Sequence, residues 1–122
     1  MPTQGGPITL FQVVKRACDV VDPDDEDAVV GDFERAFEDD DEPIRAVDEI
    51  EQRVGEVLAD LDPATNNGSL SVAAAIVVYL SFRRDELDVA PDRLLQLAAR
   101  AEWKGDPPEA VTEWLDDHGI TL

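Results

Sequence analysis

The chain has 122 residues, a single cysteine and a formal net charge of -19, from 29 acidic against 10 basic side chains. That length suits one domain with its own core, and an apolar fraction of 43% is enough to fill it, so the charge does not imply disorder. The negative sign argues against nucleic acid or an anionic membrane surface as a direct ligand, and one cysteine excludes an internal disulfide or a cysteine-rich metal site.

Met1 to Pro7 is polar and rich in Gly and Pro, and reads as a flexible tail (residues 1–7) before one helical domain (residues 8–122). No basic region leads into an apolar run there, so no secretory signal is expected. The longest apolar stretch, Leu70 to Phe82, is shorter than the roughly 20 residues that a membrane-spanning helix needs. The expected address is the cytoplasm.

A first helix is expected from Ile8 to about Val21. Thr9 and Gln12 form a capping box, Ile8 and Val13 occupy the staple positions, and Leu10, Val13, Val14, Ala17 and Val20 make the buried side. Asp22-Pro23 reads as the N-cap and first position of a second helix, with the acids at 24–27 against the positive end of its dipole. Val29, Val30, Phe33 and Phe37 face inward, and the helix is expected to stop near Glu38. Asp39 to Glu42 repels itself and stays solvated.

Pro43 is expected to open a third helix whose apolar residues Val47, Ile50, Val54, Val57 and Leu61 alternate by three and four. Ala64 to Ser69, with Asn66-Asn67-Gly68, reads as a loop and hinge. Asn67-Gly68-Ser69 also matches a glycosylation acceptor, which counts for little without a secretory signal. Leu70 to Phe82 has strand propensity at Ile76 to Leu80, yet the run is too long for a typical strand and no other segment offers a partner. A helix apolar nearly all round belongs at the centre of a domain, with Arg83 and Arg84 at its negative end.

A fifth helix begins at Pro91, presents Leu94, Leu97, Ala98 and Ala101, and closes at Gly105. Asp106-Pro107-Pro108-Glu109 reads as the cap of a sixth, which presents Val111, Trp114 and Leu115 and ends at Gly119 with Ile120 placed against Leu115. The fold class expected is therefore all-α, one compact domain of about six helices around a central apolar helix (residues 70–84).

Catalytic chemistry finds little to work with. His118, the only histidine, continues the stripe of the last helix and lies in its last turn, so packing and capping explain it. Cys18 sits among Ala17, Val20 and Val21 and reads as a buried, inert thiol; a Cys18–His118 pair has no local support. An EF-hand aligned on Asp22 places Asp27 where glycine is needed and Phe33 where a bidentate glutamate is needed, and it fails. Zinc lacks ligand spacing. A magnesium phosphohydrolase needs paired carboxylate rows; Asp48, Glu49, Glu51 and Glu56 offer one, but Asp85, Glu86 and Asp88 fall in a connector. The glycines form neither a P-loop nor a dinucleotide turn. No catalytic residue, metal or cofactor is expected. The aromatics mostly fall at core-like positions, with Trp103, off the helix-five stripe, as an interface anchor if exposed.

The charge is the remaining clue. Between Asp19 and Glu51, 16 of 33 residues are acidic and only Arg35 and Arg45 are basic, a net -14. Residues 1–18 carry +2 and residues 52–122 carry -7. A non-enzymatic interaction protein, binding a basic protein through this sector, is the first expectation, and Asp24, Asp25, Asp27, Asp32, Glu34, Asp39, Asp40, Asp41 and Glu42 are its candidate residues. The second is an ordinary helical domain of an acid-biased or salt-adapted proteome, which the scarcity of lysine (Lys15 and Lys104) also suits. A carboxylate-metal phosphohydrolase is the third. In type, the two opening helices and their acidity resemble the immunity proteins of nuclease bacteriocins. That resemblance would imply a basic nuclease as partner, but the Tyr-Tyr-Pro segment central to that family is absent and the length differs.

Overall fold

The structure, a computed structural model, describes residues 8–39, 43, 49–63, 67–83, 89–104 and 106–121. These form six helices in chain order: α1 (Leu10–Val21), α2 (Ala28–Ala36), α3 (Ile50–Leu61), α4 (Gly68–Phe82), α5 (Pro91–Trp103) and α6 (Glu109–Asp117). No strand occurs among the described residues; the one β-type contact is an isolated antiparallel bridge between Thr9 and Pro43. The fold is all-helical, and α4 is its axis, packed against each of the other five helices. Leu70, Val72, Ile76, Val77 and Leu80 on α4 are fully buried, each contributing about 1.5–3 kcal/mol by leaving water. The hydroxyl of buried Ser81 donates back to the Val77 carbonyl at 2.7 Å, so α4 carries no unsatisfied polar group into the core there.

The start of α1 is the one its sequence predicts. Gln12 N donates to Thr9 Oγ1 at 3.2 Å and Thr9 N to Gln12 Oε1 at 2.8 Å, closing the capping box. The close of α6 also follows its sequence: Ile120 N donates to Leu115 O at 2.9 Å and Gly119 N to Asp116 O at 3.1 Å, a Schellman pair across Gly119 at φ +72. Leu115 and Ile120 are both buried.

Other helix starts differ from expectation, each for a local reason. Asp22 does not cap α2; it ends α1, and Asp25, at φ +55, breaks the backbone path before Asp27 takes the N-cap. The acids at 24–26 therefore lie outside the first turn of α2. Pro43 does not open α3, being held against Thr9, and the helix begins at Ile50 after Glu49 at φ +57. Val47 lies outside the described residues, while Ile50 and Val54 are buried and Val57 and Leu61 half-buried. α6 starts at Glu109 with Pro108 as N-cap, not Asp106. Pro108 disfavours helical backbone at Pro107, so the helix cannot begin earlier.

Of the loop and hinge expected at Ala64 to Ser69, residues 64–66 lie outside the described residues, and Asn67, Gly68 and Ser69 are instead the cap and first turn of α4. Asn67 Oδ1 accepts from Leu70 N at 3.0 Å, and Asn67 N donates to Asp62 Oδ2 at 2.9 Å. Ser69 Oγ lies 2.9 Å from Asp27 Oδ2 and 2.8 Å from Asn67 Oδ1, tying the start of α2 to the start of α4. A Cβ on Gly68 would stand 2.3 Å from the Ala110 carbonyl oxygen, so only glycine lets α4 lie this close to α6. Two expected core positions are also exposed: Ala101 on α5, and Phe82, which is 67% exposed at the end of α4. Leu97 is half-buried. Gly105 and Arg84 lie outside the described residues; Lys104 closes α5 in the left-handed conformation.

Candidate functional site

α1 presents Lys15 and Asp19 four residues apart, with Asp22 three further on, so all three share one side of the helix. At its end the Asp22 carboxylate accepts from Glu26 N at 3.0 Å and Asp27 N at 2.9 Å. Those two bonds turn the chain back toward α2. Asp27 then caps α2, its Oδ1 accepting from Val29 N at 3.0 Å and Val30 N at 3.2 Å. Gly31 and Glu34 follow at four and seven residues from Asp27, on the side that meets α1. The product is a cleft of about 230 Å³ whose rim carries Asp19, Asp22, Asp25 and Glu34, with Lys15 the single cation on its lining among the described residues.

Cys18 and Val30 are the buried members of this lining, with Cys18 Sγ 3.8 Å from the Val30 carbonyl oxygen. Burial, and then Glu34, Asp19 and Asp22, push the thiol up to about 12, with Lys15 acting in the opposite direction. A thiol so placed is neutral at pH 7 and a poor nucleophile. His118 is exposed at the end of α6, stacked on Trp114 with ring centroids 3.9 Å apart and its Nδ1 donating to the Trp114 carbonyl at 2.8 Å. Cys18 is thus buried between α1 and α2 as its sequence suggests, while His118 caps α6 from an exposed position against Trp114 of the same helix.

Of the nine acids nominated from sequence, the six among the described residues do not share one face. Asp25 and Glu34 meet on the cleft, and Asp24 is exposed in the same turn. Both oxygens of Asp27 are engaged within the fold, by the α2 cap and by Ser69. Asp32 pairs with Arg35 on α2. At 3.6 residues per turn it stands about 160° from Glu34, on another flank of the helix. Asp39 is exposed beyond the end of α2, and Asp40, Asp41 and Glu42 lie outside the described residues. Asp19 and Asp22 complete the cleft and were not among the nine; their spacing from Lys15 is the signal that could have found them.

Exposed carboxylates also stand on other helices: Glu51, Glu56 and Asp60 on α3, Glu102 on α5, and Glu113 and Asp117 on α6. Among the described residues, no group of three or more His, Cys, Asp or Glu side chains is arranged to hold a metal ion. Asp48, Asp85, Glu86 and Asp88, needed for a phosphohydrolase pair of rows, lie outside those residues. No helix among them is long and apolar enough to cross a membrane. Comparison with protein-family models, with curated proteins and with solved structures finds no match to this chain.

Proposed function

We propose that this chain is a non-enzymatic interaction domain of the cytoplasm, and that its α1–α2 corner binds a basic segment of a partner protein. The observation that carries this reading is the convergence of Asp19, Asp22, Asp25 and Glu34 on one cleft where Lys15 is the single cation among the described lining residues. An incoming lysine or arginine would exchange solvent for several charge-assisted contacts. The surrounding negative potential would speed its approach, an effect that weakens with salt because exposed charges are screened over about 10 Å at 0.1 M.

Gly31 adds support. It lies inside α2 and on the cleft lining, where a Cβ would meet nothing within 4 Å, so packing in the fold gives no reason for a glycine. The missing side chain leaves the cleft open to an entering one. The test is the affinity of a labelled oligoarginine peptide for the wild type, for Asp19→Asn, Asp25→Asn and Glu34→Gln, and for Glu113→Gln and Asp117→Asn on α6. The corner variants should each weaken binding severalfold and the α6 variants should not. Equal weakening by both sets would mean that net charge alone attracts the peptide.

A second reading is favoured by the carboxylates on α3, α5 and α6: an ordinary helical domain whose acidity suits a salt-adapted or acid-biased proteome. Folding that requires molar salt would support it, since screening then relieves self-repulsion. Full stability in dilute buffer would count against it.

A further inference from the structure

Between α3 and α5 the outer side of α4 is left open as a trough. Its two overlapping stretches, of about 430 and 280 Å³, share Glu51, Ala75, Val78 and Glu102. It follows α4 from Ser71 to Phe82, about 16 Å or three helical turns at 1.5 Å per residue. Leu58 and Val54 of α3, Val78, Tyr79 and Phe82 of α4, and Trp103 of α5 supply its apolar surface. Phe82 is the one exposed large hydrophobic among the described residues. The walls are acidic, with Glu51 on α3 and Glu102 on α5 both exposed, and Arg83 stands at the Phe82 end.

We propose that this trough seats an amphipathic helix of a partner protein, its apolar stripe on Val78, Tyr79, Phe82 and Trp103 and its lysines or arginines against Glu51 and Glu102. Length and shape favour a helix: an elongated, solvent-open furrow of three turns fits anchors at i, i+3, i+4 and i+7, whereas a small ligand needs enclosure. Charge selects the flanks. A second copy of this chain would bring acidic walls together, and an anionic membrane surface would be repelled by the net charge of -19. Gly55 fits the same occupant. It lies inside α3 on the trough lining, a disfavoured residue in a helix interior, and a Cβ there would meet nothing within 4 Å. What its absence provides is room for an outside helix to come close.

Among the described residues the trough shares none with the α1–α2 cleft, so the two proposals stand or fall separately. The probe is a synthetic leucine–lysine peptide with its leucines in one helical stripe, compared with one of the same composition whose leucines are dispersed around the helix. Titration into the isotope-labelled full chain should move the amide signals of Gly55, Val78 and Phe82 and the Trp103 indole, for the striped peptide only. Phe82→Ala and Glu102→Lys, both at exposed positions, should each weaken binding about tenfold, and Gly55→Ala should weaken it without unfolding the chain. Equal binding of both peptides would overturn the proposal as charge attraction alone. Shifts confined to Lys15 and Gly31 would overturn it while leaving the acidic corner as the binding site. Dimerisation of the free chain that Phe82→Ala abolishes would assign the trough to a second copy and overturn it as well.

Discussion

At its first residue α4 lies so close to α6 that a Cβ on Gly68 would meet the Ala110 carbonyl at 2.3 Å; at its last, Phe82 is 67% exposed. Both ends belong to one helix that is apolar nearly all round. What differs is what surrounds them. At the start, Asp62, Asn67, Ser69 and Asp27 link the ends of α2, α3 and α4 through hydrogen bonds of fixed direction, and a glycine removes the last obstacle to contact. Toward the end, α4 is flanked by walls that carry Glu51 and Glu102, and drawing those walls together would oppose like charges. A helix of uniform composition is thus sealed where directional polar contacts dock it and left open where its flanking helices carry exposed carboxylates. The open stretch is the part proposed to seat a partner.

Four substitutions sharpen or break this contrast. Gly68→Ala should cost most, about 2–4 kcal/mol, because the new methyl meets backbone that cannot rotate away. A urea midpoint unchanged from wild type would mean that α4 and α6 are not in such close contact. Asp27→Ala should cost about 1–2 kcal/mol, since it removes the α2 cap and the Ser69 link together. A double-mutant cycle with Ser69→Ala should then show coupling, and simple additivity would deny the link. At the open end the signs change. Gly55→Ala should raise stability by about 0.5–1 kcal/mol, as expected for alanine replacing a helix glycine with free space around it. Destabilisation by calorimetry would show that the trough is filled in the free protein. Phe82→Ala should stay within about 0.5 kcal/mol of wild type, the smallest effect of the four.

Much of the fold was legible in local pattern. The Thr9–Gln12 box, the Gly119–Ile120 closure and the apolar run of α4 each depend on residues within a few positions of one another, and each is found as read. Helix starts near aspartates were less legible. Asp22 and Asp27 have the same side chain, and which one caps α2 is decided by the left-handed turn at Asp25 and by Ser69, 42 residues from Asp27. Gly68 looked like a hinge because its reason lies on α6, not beside it.

The candidate sites divide in the same way. The acidity of the α1–α2 region was plain from composition, but the membership of the cleft was not. Asp32 and Glu34 are two residues apart and on different flanks, and Asp19 joins Glu34 only because α2 folds back on α1. The trough was invisible from sequence. A helix apolar all round predicts cover on every side, and nothing near Phe82 or Ala101 says that α3 and α5 stand apart above α4.

Hydroxyl-radical footprinting of the free chain, read residue by residue by mass spectrometry, tests the contrast most directly. Phe82 should label strongly while Phe33 and Phe37, buried and packed edge to face with centroids 5.3 Å apart, stay protected. Protection of Phe82 to the level of Phe33 would contradict the account, because the outer side of α4 would then be covered.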